Sequence, residues 1–324
     1  MLYKKESKKY NIIFVGTPEY SVPTLEALMI DERFNVAAII TAPDAPVGRK
    51  QILTPPPVKI AAEKYGLKIL QPLKLRGQDV AVQRLYDELR KFNPDVIITI
   101  AYGQIIPPAI LTLPKFGCIN LHASLLPKYR GASPIQAAIT AGDDITGITL
   151  MKMDAGLDTG DIIAQTKLTI AADETGESLH DKLSILSANT LLEHLPNYLT
   201  GKIDPKPQNE TLATYAPKLT RQSGRIDWQK PAADVERLVR AYYSWPGTWS
   251  KWEDKILKII SVDSKILPIN KNKTGEIFLH DGQLTVQCGQ NALIIKKLQL
   301  EGKQVADSAD FLSGYKNIIS NILK

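Results

Sequence analysis

Apolar runs short enough to be strands alternate with segments of helical periodicity along the first part of this chain, and that alternation leaves few folds open. Asn11-Ile-Ile-Phe-Val-Gly16 reads as a buried parallel strand, followed by a helix through Val22–Leu28. Phe34–Ile40, residues 68–70, Asp95–Ile100 and Phe116–His122 continue the strands, while residues 58–65, 79–91 and 134–141 supply helices. Strands alternating with helices predict an α/β domain with a doubly wound, Rossmann-like, mainly parallel sheet, because the helical crossovers cover both sheet faces. Residues 145–153 and 162–170 flank a glycine-rich loop and are expected to pair like a hairpin, and Glu177–Leu199 reads as a long amphipathic helix. Residues 41–57 hold so much proline and glycine that no regular element is expected there.

The pattern changes after a polar, proline-bearing stretch. One helix near Ala232–Tyr243 precedes short strands near 249–252, 255–262, 275–280, 283–288 and 292–299, with turn signals such as Asp281-Gly282 between them. This spacing predicts a small OB-like β-barrel. The expected organisation is a basic tail over 1–10, a catalytic domain over 11–203, a linker over 204–216 and a second domain over 217–324.

With 324 residues, 44% hydrophobic and 23% charged, the chain can bury about two ordinary cores. Its two cysteines, Cys118 and Cys288, are far apart in apolar runs, which argues against a disulfide framework and for a reducing cytoplasm. No apolar run approaches the roughly 18 residues of a membrane span. The net charge of +6 is uneven, since residues 207–324 hold 17 of the 40 Lys and Arg but 12 of the 34 Asp and Glu. Such an excess favours polyanions as partners.

Several chemistries are excluded by what the motifs lack. Gly16-Thr-Pro-Glu-Tyr-Ser21 has no second or third glycine of a dinucleotide fingerprint, and Ser124 is outside the Gly-x-Ser-x-Gly context of a hydrolase nucleophile. Four histidines with no pair at ligand spacing make a metal site unexpected. What remains is an amide, an imidazole and a carboxylate. Asn120 and His122 lie two apart on a predicted strand and leave the same face, and Asp158 follows in a glycine-rich loop. The alternative is a hydrogen-bonded polar cluster that fixes a turn. However, open α/β sheets place ligands at the carboxyl ends of their strands, and these residue types suit acyl transfer through a tetrahedral intermediate without a covalent nucleophile.

Asn120-Leu-His-Ala-Ser-Leu-Leu-Pro-Lys-Tyr-Arg-Gly-Ala-Ser-Pro134, together with Asp154-Ala-Gly-Leu-Asp-Thr-Gly-Asp161, resembles the signature of enzymes that transfer formyl from 10-formyltetrahydrofolate. Val15-Gly-Thr-Pro18, Pro43-Asp-Ala-Pro-Val-Gly-Arg-Lys50 with Pro57-Val-Lys59, Ala101-Tyr-Gly103, Ile226-Asp-Trp228, Trp245-Pro246, Gly302-Lys303 and Asp310-Phe-Leu-Ser-Gly314 extend the resemblance to the methionyl-tRNA formyltransferase family over nearly the whole chain. The resemblance implies a catalytic trio of Asn120, His122 and Asp158. It also implies a folate site formed by Ser124, Leu125, Leu126 and Pro127 with Tyr102, Gly103 and Asp154. By the same resemblance Arg49 and Lys50 belong to a basic loop that enters the acceptor stem of initiator methionyl-tRNA, and the C-terminal barrel contacts tRNA backbone. The implied protein is a cytoplasmic monomer that uses the folate as cosubstrate and no metal. The rivals are a formyltransferase acting on an amino-sugar nucleotide and a non-catalytic RNA-binding protein; the basic loop and second half favour tRNA, and the intact trio favours catalysis.

Overall fold

A computed structural model describes residues 9–48 and 50–324. Arg49 and all but the last two residues of the expected basic tail lie outside the described residues, and the last of those two, Tyr10, already belongs to the first strand. The described residues divide into two compact units, one within 9–131, 146–168 and 180–215, the other within 132–145, 169–179 and 216–324.

The strands in chain order are β1 (Tyr10–Gly16), β2 (Phe34–Ile40), β3 (Ala45–Val47), β4 (Ile52–Thr54), β5 (Ile69–Leu70), β6 (Val96–Ile100), β7 (Cys118–His122), β8 (Arg130–Gly131), β9 (Ile145–Lys152), β10 (Ile162–Thr169), β11 (Tyr215–Ala216), β12 (Thr248–Trp252), β13 (Lys255–Val262), β14 (Ile277–His280), β15 (Gln283–Gln287), β16 (Ala292–Leu300) and β17 (Ala306–Asp307). The helices are α1 (Val22–Ile30), α2 (Pro57–Lys64), α3 (Val80–Lys91), α4 (Pro108–Leu111), α5 (Pro134–Ala141), α6 (Gly176–Leu199), α7 (Ala232–Ala241) and α8 (Ser308–Gly314).

A seven-stranded sheet of order β10-β9-β7-β6-β1-β2-β5 carries the first unit. The pairs β1–β2, β1–β6, β2–β5 and β6–β7 are parallel, and β9 joins β7 antiparallel. Val-Ile-Ile-Thr-Ile of β6 is buried throughout, as a strand covered on both faces requires. Helix α3 forms because Val82, Leu85, Tyr86 and Leu89 make one apolar face, and its Asp79 cap accepts from the Val82 amide at 3.2 Å. That face packs on Ile13, Val15, Ile97 and Cys118, all on one side of the sheet. Asn120 continues this side: it is in register with Thr99 of β6, which is in register with Val15.

The proline- and glycine-rich stretch departs from expectation. Instead of being irregular, it folds at its centre into an antiparallel hairpin, with Ala45 opposite Thr54, Pro46 opposite Leu53 and Val47 opposite Ile52. The prolines permit this because an isolated two-stranded ribbon has outer edges on which a missing N–H costs no ladder bond.

In the second unit β12-β13-β16-β15-β14 form an antiparallel sheet with β17 beside β16. Its core unites Leu257, Ile259, Val286, Ile295 and Leu298 with Val235 and Val239 of α7 and Phe311 of α8. Among the described residues no helix is long and apolar enough to cross a membrane.

Candidate active site

Strand β7 ends at His122, and its pleat sends the Asn120 and His122 side chains to the same face. The antiparallel neighbour β9 sets Met151 opposite Asn120 and Thr149 opposite His122. Thr149 then fixes the loop that leaves the strand: its hydroxyl donates to the Ser124 carbonyl at 2.6 Å and accepts from the Leu126 amide at 3.0 Å. Gln165 of β10 donates to the Leu126 carbonyl and to the Thr149 hydroxyl, both at 2.9 Å.

Asp158 folds back onto this strand end. Its Oδ2 lies 3.6 Å from His122 Nδ1, and the two side chains are 13% and 7% exposed. The same Oδ2 accepts from the Gly131 amide at 2.8 Å. On the other side of the ring, His122 Nε2 is 2.9 Å from the Tyr129 carbonyl. A carbonyl can only accept, so Nε2 carries the proton and Nδ1 is the nitrogen left to exchange one. The imidazole is therefore not free to donate from Nε2 to substrate; what it offers is Nδ1, beside a carboxylate. Among the described residues the Asn120 amide and Asp158 Oδ1 make no hydrogen bond. The site thus keeps one neutral donor and one carboxylate oxygen available.

The loop carrying Asp158 is shaped from within. Asp154 Oδ1 accepts from the Gly156 amide at 2.9 Å and from the Thr159 hydroxyl at 2.7 Å, closing a turn. At Gly160 an added Cβ would stand 1.8 Å from the Lys152 carbonyl oxygen, so the return of the loop to β9 requires glycine.

The other residues singled out from sequence fall into three settings. Ser124 is fully buried and its hydroxyl donates to the Lys128 carbonyl at 2.5 Å, so it caps the turn. Leu126 is buried, whereas Leu125 and Pro127 are half-buried. Tyr102 is buried just beyond β6, burial pushes its phenol up to about 12, and Gly103 beside it is exposed. Lys50 is exposed at the tip of the β3–β4 hairpin, and its neighbour Arg49 lies outside the described residues. Among the described residues no cluster of His, Cys, Asp and Glu could hold a metal.

Sequence reasoning missed Thr99, Tyr129, Gly131 and Thr149. Thr99 had a signal, a lone hydroxyl in an aliphatic strand. Among the described residues its Oγ1 and the Tyr102 hydroxyl are buried with no hydrogen-bond partner, a costly state of about 1–3 kcal/mol each that a bound polar group would relieve. Tyr129 and Gly131 act through backbone atoms, which leave no trace in side-chain chemistry.

Known proteins resemble this chain along most of its length. A family described as formyl transferase matches residues 8–195, and a formyl transferase C-terminal domain matches 218–316. The methionyl-tRNA formyltransferase of Citrifermentans bemidjiense is 45% identical over 94% of this chain and 93% of its own length. Among solved structures, an N-formyltransferase from Helicobacter canadensis in complex with folinic acid and dTDP-3-aminofucose has a TM-score of 0.64 at 17% identity, covering 88% of this chain and 98% of that one. HypX from Aquifex aeolicus in complex with tetrahydrofolic acid has a TM-score of 0.60 at 19% identity, covering 96% of this chain and 48% of that one. At such identities the two structures speak to the fold alone, but the match across both parts of the chain and the 45% identity over nearly its whole length go further: the chain belongs to the methionyl-tRNA formyltransferases of the formyl transferase family.

Proposed function

We propose that this chain transfers the formyl group of 10-formyltetrahydrofolate to the α-amine of methionine esterified to initiator tRNA, giving formylmethionyl-tRNA and tetrahydrofolate. The observation that carries the chemistry is the unpartnered Asn120 amide beside an imidazole held between the Tyr129 carbonyl and the Asp158 carboxylate. The amine nitrogen attacks the formyl carbon, the carbonyl becomes an oxyanion, and collapse expels the folate nitrogen, which takes up the proton the amine has lost. An α-amine has a pKa of about 7.7–8.0, so a substantial fraction is neutral near pH 7 and positioning matters more than a strong base. Asn120 donates to the oxyanion. Asp158 receives the amine proton through water at its free Oδ1, and the unprotonated His122 Nδ1 next to that carboxyl is placed to share the proton.

For the folate, support comes from groups around the same strand end. Leu125 and Pro127 offer apolar surface to a flat pterin, with Leu126 buried between them in the chain, and the hydroxyls of Thr99 and Tyr102 await polar partners. Ser124 and Asp154 shape the two loops rather than presenting a free side chain, while Gly103 allows close backbone approach. For the tRNA, Arg49 and Lys50, the latter at the tip of the β3–β4 hairpin, are assigned to the acceptor stem, and the basic second unit to the backbone. In that unit β16 pairs with β13 along residues 295–300 and with β15 along 292–294, a shared long strand that favours the OB-like reading of the sheet. The enzyme is taken to work as a monomer in the cytoplasm.

The test is a substrate comparison. Purified protein with 10-formyltetrahydrofolate should yield formylmethionine on charged initiator tRNA and no formylated amino-sugar nucleotide. Turnover of the sugar with none of the tRNA overturns the assignment.

A further inference from the structure

The catalytic pair is gripped by backbone from a three-residue segment. Tyr129 supplies the carbonyl on His122 Nε2, and Gly131 supplies the amide on Asp158 Oδ2. Between them Arg130 turns its side chain to Gln208 and Glu210, which cover it completely although Glu210 itself is 66% exposed. Its Nε and Nη2 donate to Gln208 Oε1 at 3.1 and 2.8 Å, and its Nη1 and Nη2 donate to Glu210 Oε2 and Oε1 at 2.8 and 2.7 Å. Hydrogen bonding from Arg130 holds the Glu210 carboxyl below its usual range. Gln208 has a second hand: its Nε2 donates to the carbonyls of Asp158 and Gly160, both at 2.8 Å. One amide side chain is thus bonded both to the anchor of the 129–131 segment and to the backbone of the loop that carries Asp158.

The backbone on both sides of that bridge needs such support. Tyr129 has φ +60° and Asp158 has φ +53°, left-handed conformations uncommon outside glycine, which persist where their surroundings over-determine them. Thr214 adds to the clamp, its hydroxyl accepting from the Tyr129 amide and its carbonyl from the Arg130 amide, each at 2.8 Å.

We infer that Arg130, Gln208 and Glu210 are positioning residues: a buried guanidinium and an amide that lock the 129–131 segment to the Asp158 loop and so set the distance between His122 and Asp158. Among the described residues none of the three side chains hydrogen-bonds to His122 or to a side-chain atom of Asp158, so they act through the backbone. The stretch expected to be a mere linker therefore completes the first unit's site. This inference rests on the proposed formyl transfer for its kinetic reading, but its geometric reading stands apart.

The test uses the full chain with Gln208→Met, which keeps length and removes both ends of the bridge, and Arg130→Lys, which keeps charge and loses the fork. Thermal unfolding and circular dichroism establish that each variant folds; should Arg130→Lys not fold, Gln208→Met decides alone. Gln208→Met should lower kcat about 10- to 100-fold, the scale of a displaced catalytic group, with KM for both substrates within about threefold. The second readout is nuclear magnetic resonance of protein labelled with 15N-histidine, His122→Gln assigning the signal. The His122 Nε2–H resonance should be downfield and slow to exchange in the wild type, and shifted or broadened by solvent exchange in Gln208→Met. A folded Gln208→Met with kcat within twofold of wild type and an unmoved His122 signal overturns the inference. Loss of kcat together with equal changes in both KM values and an unmoved signal also overturns it, since that pattern is general damage. A wild type that makes no formylmethionyl-tRNA rejects the proposed function instead, and the His122 signal still decides the positioning role.

Discussion

The end of β7 and the β3–β4 hairpin are both rich in functional residue types, yet they are built in opposite ways. At the strand end His122 and Asp158 are nearly buried and bonded to backbone on several sides. On the hairpin Val47, Ile52 and Leu53 are 57–66% exposed, and the tip bears Lys50. Chemistry needs reacting groups held before substrate arrives, because reorganisation at the moment of reaction is costly. Capture of a large polyanion needs reach and charge, and tolerates freedom. Even so, the hairpin is rooted firmly: Lys59 donates to both Asp44 oxygens at 2.8 Å, and Gln71 donates to Asp44 Oδ1 at 2.8 Å and to the Ala42 carbonyl at 2.9 Å.

If the two regions divide the work this way, variants should separate rate from capture. The largest effect belongs to Asn120→Ala, which removes the free oxyanion donor: kcat should fall about 100- to 1000-fold with tRNA affinity unchanged, measured by steady-state kinetics and equilibrium binding. Activity within a few-fold of wild type would erase the distinction. Replacing residues 46–53 by two glycines should do the reverse, raising KM for methionyl-tRNA about tenfold, or ~1.4 kcal/mol, and leaving the folate KM within twofold. An unchanged tRNA KM would remove the hairpin from substrate capture. The smallest effect tests the root. Gln71 and Lys59 hold the Asp44 carboxyl below its ordinary 3.8, so their bonds stabilise the fold above that pH and lose their contribution as pH falls through the lower folded value. Lys59→Met should accordingly lower Tm by a small, constant amount between about pH 5 and 7, with the gap closing below about pH 3.8. A gap that persists in full at pH 2.5 would show that the pair is not its source.

The same contrast governs what could be read from sequence. The parallel sheet was legible because Ile12–Val15 and Val96–Ile100 are continuous apolar runs with helices between them, and the shared face of Asn120 and His122 was legible because strand parity is written in residue order. The hairpin was not, since proline and glycine disfavour strands generally but are tolerated in a two-stranded ribbon with outer edges. Nor was the support of the trio. Gln208 stands in a polar, proline-bearing stretch that reads as linker, and nothing local indicates that its amide meets two carbonyls of a loop some fifty residues earlier. Long-range backbone contacts have no periodicity and no composition.

The most direct measurement is a single turnover from tRNA already bound, comparing wild type with Asp158→Asn. The substitution keeps shape and suits the left-handed backbone at that position, so it removes the negative charge and one acceptor oxygen while leaving the other for the Gly131 amide. Formyl transfer should slow by about 100-fold or more while the dissociation constant for methionyl-tRNA stays the same. A rate within about threefold of wild type would contradict the role of the His122–Asp158 pair and, with it, the division between a rigid catalytic strand end and an exposed capturing hairpin.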